Sequence, residues 1–142
     1  MTDGRDRMAT GEKIRRDVLG SEHVDRSLAQ VSDFSRPLQN FVTEVAWGEV
    51  WSRPGLDRRT RSLLNLGMLT ALNRQTELGV HVRGAIRNGC SVEEIQEALL
   101  QTAVYCGAPA ALEAFRTAER VLKELAGSDG AGSAVGSPAA SP

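Results

Sequence analysis

Apolar residues in this chain recur at spacings of three and four, the period of a helix that buries one face. Ile14, Val18 and Leu19 form a short stripe in a charged segment that stops at Gly20. Val24, Leu28 and Val31 form a second. Leu38, Phe41, Val42, Val45 and Ala46 carry the period on to the turn signal Arg53-Pro54-Gly55. Asp57 is placed to cap a helix in which Leu63, Leu64, Leu66, Met68 and Leu69 are apolar nearly all round, a pattern that predicts burial on most sides. Residues 73–75 read as a tight turn. The next helix spans about 76–88, with Gly89 just beyond it at the position that favours a left-handed backbone. Ser91-Val92-Glu93-Glu94 is a capping box opening a helix with Ile95, Leu99, Thr102 and Ala103, closed by Gly107. Pro109 falls near the first turn of the last helix, which buries Leu112, Phe115, Val121 and Leu122. No run alternates with period two, so the predicted class is all-α.

Length and composition set bounds on this picture. The 142 residues suffice for one domain, and a hydrophobic fraction of 41% with 25% charged residues is that of a globular protein. With three Phe, two Trp and one Tyr, the core is thin and aliphatic, and such a chain is expected to complete its burial in a homo-oligomer. The low-complexity stretch 127–142 cannot bury enough apolar surface to offset its ordering entropy and is expected to be disordered, with residues 1–8 fraying, which leaves a domain of 9–126. A net charge of −1 gives no standing attraction to nucleic acid or to an anionic membrane. No stretch is long and apolar enough for a membrane span, the N-terminus lacks a signal-like apolar run, and two cysteines make no disulfide framework. The expected compartment is the cytoplasm.

Candidate chemistry centres on one helix. Glu77 and His81 are four apart and share a face, where a carboxylate can orient an imidazole and raise its proton affinity; Arg74 lies one turn earlier and suits an anionic substituent. Taken alone, such a pair is also common on exposed helices. Trp47 and Trp51, one turn apart, fit either large core anchors or the aromatic wall of a ligand pocket. His23 reads as a cap or surface residue, and Cys90 and Cys106 as buried inert thiols. Two histidines without clustered carboxylates or paired cysteines argue against a metal site, and there is no GxSxG, P-loop or Rossmann glycine pattern.

Several strings resemble γ-carboxymuconolactone decarboxylases in order and spacing: residues 18–28 (VLGSEHVDRSL), 46–56 (AWGEVWSRPGL), 59–63 (RTRSL), 77–83 (ELGVHVR) and 102–110 (TAVYCGAPA). The resemblance covers about residues 10–125. It implies an AhpD-like bundle of about six or seven helices, assembled into trimers or hexamers with sites near subunit contacts. In the AhpD-type peroxidases of the wider superfamily a CxxC motif precedes the shared histidine; aligning that histidine with His81 places Arg74 and Glu77 on the two cysteine positions, which argues against thiol peroxidase chemistry here. The implied reaction is decarboxylation of 4-carboxymuconolactone to β-ketoadipate enol-lactone in protocatechuate degradation. The substrate is its own electron sink, so no cofactor is expected. On this reading His81, oriented by Glu77, donates the proton, Arg74 and Arg61 hold carboxylate or oxyanion, and Trp47 and Trp51 keep water out. Other readings are a superfamily enzyme for a different lactone or keto acid, or a non-catalytic oligomeric module.

Overall fold

The structure, a computed structural model, describes residues 3–132. It is all-helical among those residues: α1 (Gly4–Leu19), α2 (Ser21–Ala29), α3 (Arg36–Phe41), a π-helical stretch (Val42–Val50), α4 (Arg58–Ala71), α5 (Gln75–Arg87), α6 (Val92–Tyr105) and α7 (Ala108–Gly132). The expected punctuation is in place. Asp57 accepts a hydrogen bond from the Thr60 backbone amide at 2.8 Å, Ser91 and Glu94 form the reciprocal capping box, and Gly89 and Gly107 adopt φ of 89° and 94°. Asn73, with φ 56°, supplies the sharp turn between α4 and α5.

Two hydrophobic clusters share α5. Leu78, Val82 and Ala85 pack with Leu66 of α4, Ile95 and Leu99 of α6 and Val121 of α7. Val80, on the other side of α5, packs against Ile14, Val18, Leu19, Val24, Trp47 and Trp51. His81 therefore sits on a helix that forms the seam between the two cores.

The second core depends on an unusually close crossing of α1 and the π stretch. A Cβ on Gly11 would lie 2.0 Å from the Thr43 carbonyl oxygen, and one on Gly48 would lie 2.3 Å from the Arg7 carbonyl oxygen, so both contacts are backbone on backbone. Arg7 clamps the same junction through an ion pair with Glu44 at 3.0 Å. That clamp explains why helix begins at Gly4, inside the segment 1–8 where fraying is expected.

Three other expectations give way. Leu38 and Phe41 lie on the predicted apolar stripe but stand exposed, because the short α3 packs only along the π stretch, whose wider turn rotates Thr43, Trp47 and Gly48 inward instead. Within α4, Leu66 is fully buried while Leu64 and Met68 are about half exposed, and Leu112 on α7 is likewise exposed. Burial on most sides is thus not reached within one chain. Finally, α7 runs on through the start of the low-complexity segment to Gly132, six residues past the expected boundary at 126. Three of those six residues are glycine, so intrinsic propensity does not account for the helix there; the Ser128 hydroxyl bonds back to the Glu124 carbonyl at 3.1 Å. The remaining tail, 133–142, lies outside the described residues.

Candidate active site

Three of the singled-out residues converge. The His81 ring lies parallel to Trp47, with an interplanar angle of 2° and centroids 6.1 Å apart, and Trp51 stacks on both, 4.9 Å from Trp47 and 6.4 Å from His81. The local cause is the π stretch. Its i→i+5 pattern, visible in the Trp51 amide donating to the Ala46 carbonyl at 3.0 Å, widens the turn and sets residues four apart nearly one above the other. Both indoles are buried and belong to the second core, which bears out the core-anchor reading, and their rings lie beside His81.

His81 takes its hydrogen bond from Asn65 of α4, whose Nδ2 lies 3.3 Å from the imidazole Nδ1. With the amide nitrogen facing it, Nδ1 acts as acceptor and the ring proton resides on Nε2. Burial pushes the imidazole down to about 4, the nearby charge of His23 pushes the same way, and Glu77 acts weakly in the opposite sense. Glu77 thus raises the proton affinity of His81 as expected, but burial outweighs it. Glu77 is exposed, makes no hydrogen bond to the ring and acts only through space, so desolvation wins.

Arg61, one turn before Asn65 on α4, donates to the Arg53 carbonyl at 3.2 Å, just past Trp51, and its buried Nε has no partner. Arg74 is exposed at the start of α5, one turn before the exposed Glu77. Cys90 is buried, and burial raises its thiol above the ordinary range, as befits an inert residue; Cys106 is half-buried at the end of α6. Among the described residues no group of three or more His, Cys, Asp or Glu side chains is placed to hold a metal ion.

Sequence reasoning missed three participants. Asn65 is a polar residue in a helix otherwise rich in leucine, a signal that was available. Arg15 interrupts the Ile14–Val18 stripe yet is buried. His23 is half-buried rather than a surface cap. Burial lowers its proton affinity first, with the charges of Arg26, Arg15 and Arg87 adding to it, and its own charge reaches His81.

These shifts set a pH dependence of folding. His81 has a folded value of about 4 against an ordinary 6.5, so between those pH values the unfolded chain binds the extra proton. Stability is fully present above pH 6.5 and falls by up to about 3 kcal/mol as the pH drops to 4, with His23 adding loss of the same sign. Denaturant melts of wild type and His81→Gln across this range check it: the substitution is expected to flatten most of the slope.

Comparison with known proteins places this geometry in a context. The profile of the Carboxymuconolactone decarboxylase family matches residues 36–120, which include Trp47, Trp51, Asn65 and His81. The 4-carboxymuconolactone decarboxylase of Acinetobacter baylyi is 46% identical over 119 residues, covering 84% of this chain and 89% of that protein. The nitrosuccinic acid decarboxylase of Metarhizium robertsii is 50% identical over 115 residues, covering 81% of this chain and 80% of its own. A 4-carboxymuconolactone decarboxylase sequence from Pseudomonas putida is 40% identical over 47 residues, 33% of this chain and 98% of that one.

Proposed function

The chain belongs to the carboxymuconolactone decarboxylase family, and from that premise we propose that it converts 4-carboxymuconolactone to β-ketoadipate enol-lactone without a cofactor. The observation that carries the reading is His81, held neutral by burial beside a stacked pair of tryptophans and hydrogen-bonded to an asparagine.

The chemistry asks for little more. The bond between the ring carbon and its carboxylate breaks, CO2 leaves, and the electron pair passes through the ring double bond onto the lactone carbonyl oxygen. The dienolate is then protonated on the carbon next to that carbonyl, leaving the shifted double bond of the enol-lactone. His81 delivers this proton. A dianionic substrate raises the proton affinity of an imidazole that is neutral in the free protein, so the proton arrives with the substrate. Asn65 can accompany the change by turning its amide, its nitrogen facing a bare Nδ1 and its oxygen an Nδ1–H. Trp47 and Trp51 exclude water, which strengthens every charge interaction at the site. Arg61 is the nearest candidate for the developing oxyanion, and its unpartnered Nε supports that assignment. Glu77, expected to orient His81, and Arg74, expected to hold a carboxylate, both stand exposed at the start of α5 and take no step in this scheme.

A second reading has its own support in the nitrosuccinic acid decarboxylase relative. A nitro group, like a lactone carbonyl, accepts the electron pair left by CO2, so the same site could serve either dicarboxylate. Incubating the protein with each compound and following CO2 release decides the matter. Faster turnover of the lactone, with the enol-lactone as product, is the expected result. Preference for nitrosuccinate establishes the second reading, and no turnover of either overturns both.

We further propose a homo-oligomer, a trimer or hexamer. Its support is the apolar surface left open on α4 and α6: Leu64, Met68 and Tyr105 are exposed in the lining of a cleft of about 730 Å³, and Leu72, Leu100 and Val104 are exposed elsewhere along the same two elements. A cytoplasmic location goes with the two free cysteines. Among the described residues no helix is long and apolar enough to cross a membrane.

A further inference from the structure

Arg15 is a buried cation with no anion. Only 8% of it is exposed, and burial lowers its proton affinity, with Arg16 adding to the effect. Its guanidinium reaches Thr43 Oγ1 at 3.4 Å and, with the Gln39 amide oxygen turned inward, Gln39 as well; its Nε is buried without a partner. Neutral acceptors of this kind do not replace the hydration an arginine gives up on burial.

The neighbouring carboxylates are all engaged elsewhere. Asp25 pairs with Arg16, Glu22 with Arg26, Glu44 and Glu49 with Arg7, and Asp17 with Lys13 and Arg58. Among the described residues none lies within ion-pair distance of Arg15. The charges that reach it or its neighbour His23, those of Arg16, Arg26 and Arg87, are positive, and Arg87 is tied to the Leu19 carbonyl at 2.9 Å. Three elements thus present positive or donor groups to one place and supply no counter-charge.

That place is level with His81. Val18 packs against Gly84, where a Cβ would lie 3.1 Å from Val18 Cγ1, and Gly20 meets Arg87, so α1 and α5 run in the same direction side by side. One turn earlier on each helix stand Arg15 and His81. Thr43, which Arg15 contacts, is one turn before Trp47, the indole stacked parallel to the imidazole.

We infer that Arg15, flanked by Thr43, Gln39 and His23, is the anchor for the carboxylate that the substrate keeps. The inference rests on the decarboxylase reading and deepens it. A strong cation beside the departing carboxylate would stabilise the ground state and oppose loss of CO2, whereas one on the retained carboxylate holds the substrate equally well throughout. 4-Carboxymuconolactone and nitrosuccinate both have such a second carboxylate, so the anchor defines the substrate class as dicarboxylates whichever compound is turned over.

The test compares Arg15→Met and Arg15→Lys with wild type. For Arg15→Met, the KM for the turned-over substrate is expected to rise about 30-fold with kcat within about threefold, the size of a lost charge-assisted hydrogen bond, and Arg15→Lys recovers part of it. The melting temperature of Arg15→Met is expected to be unchanged or higher, because a buried unpaired charge has been removed. Unchanged KM with a lower melting temperature makes Arg15 a structural residue and overturns the proposal. Binding to the wild-type protein, read by tryptophan fluorescence, needs neither turnover nor a folded variant. Butyrate is expected to bind at least about tenfold more tightly than butyramide, which lacks the charge the anchor takes. Equal binding of the two overturns the anchor, whereas failure of turnover alone overturns only the decarboxylase reading.

Discussion

Replacing His81 by Gln is expected to lower kcat for decarboxylation of 4-carboxymuconolactone by about 10³-fold with KM within about threefold, the signature of a group that acts on the transition state rather than on binding. Gln retains a hydrogen-bonding amide of similar reach but cannot hold and release a proton. The environment of His81 makes the distinction sharp. In the free protein the ring is neutral down to about pH 4, because burial beside the stacked Trp47–Trp51 pair outweighs the pull of Glu77. Two substrate carboxylates reverse that balance, so the charged donor exists only in the complex, where it is needed. The wild-type kcat therefore falls as pH rises through the value His81 acquires with substrate bound, and that limb is absent in His81→Gln. Steady-state kinetics from pH 5 to 9 measure both features. Residual activity within tenfold of wild type would remove His81 from the proton transfer.

How much of this was legible in the sequence depends on whether the controlling interaction is local. Helix ends written in capping and turn chemistry, Asp57, Ser91 with Glu94, Gly89 and Gly107, are local and were readable. The π stretch was not, because its residues fit an α-helical period as well. What selects the wider turn is the approach of Gly48 to the Arg7 backbone, 41 positions away. Spacing of four pointed to Glu77 as the partner of His81, since a helix face is all that one sequence window displays. The ring turns instead to Asn65, 16 residues earlier, a contact made by the packing of α4 on α5. Arg15 and His23 were hidden for the same reason: each is an ordinary polar residue in its own helix and becomes unusual only where α1, α2, α5 and the π stretch meet.

The same junction carries the other large expected effect. Trp47→Ala is expected to destabilise the fold by about 4 kcal/mol, lowering the melting temperature by about 15 °C. The cluster it leaves behind consists of Ile14, Val18, Leu19, Val24 and Trp51, too few side chains to close over the volume of an indole. Collapse is further restricted because α1 and the π stretch already touch backbone to backbone at Gly11 and Gly48 and cannot move closer. The cavity therefore persists and opens beside His81. Water entering it relieves the desolvation that holds the imidazole near 4, so the His81 value rises toward 6.5. Calorimetry and an NMR titration of the histidines measure the two consequences on one variant. Loss of stability together with an upward shift shows that the indole both supports the fold and tunes the site. A melting temperature within about 3 °C of wild type would mean that the pair only lines the site and that the core lies elsewhere.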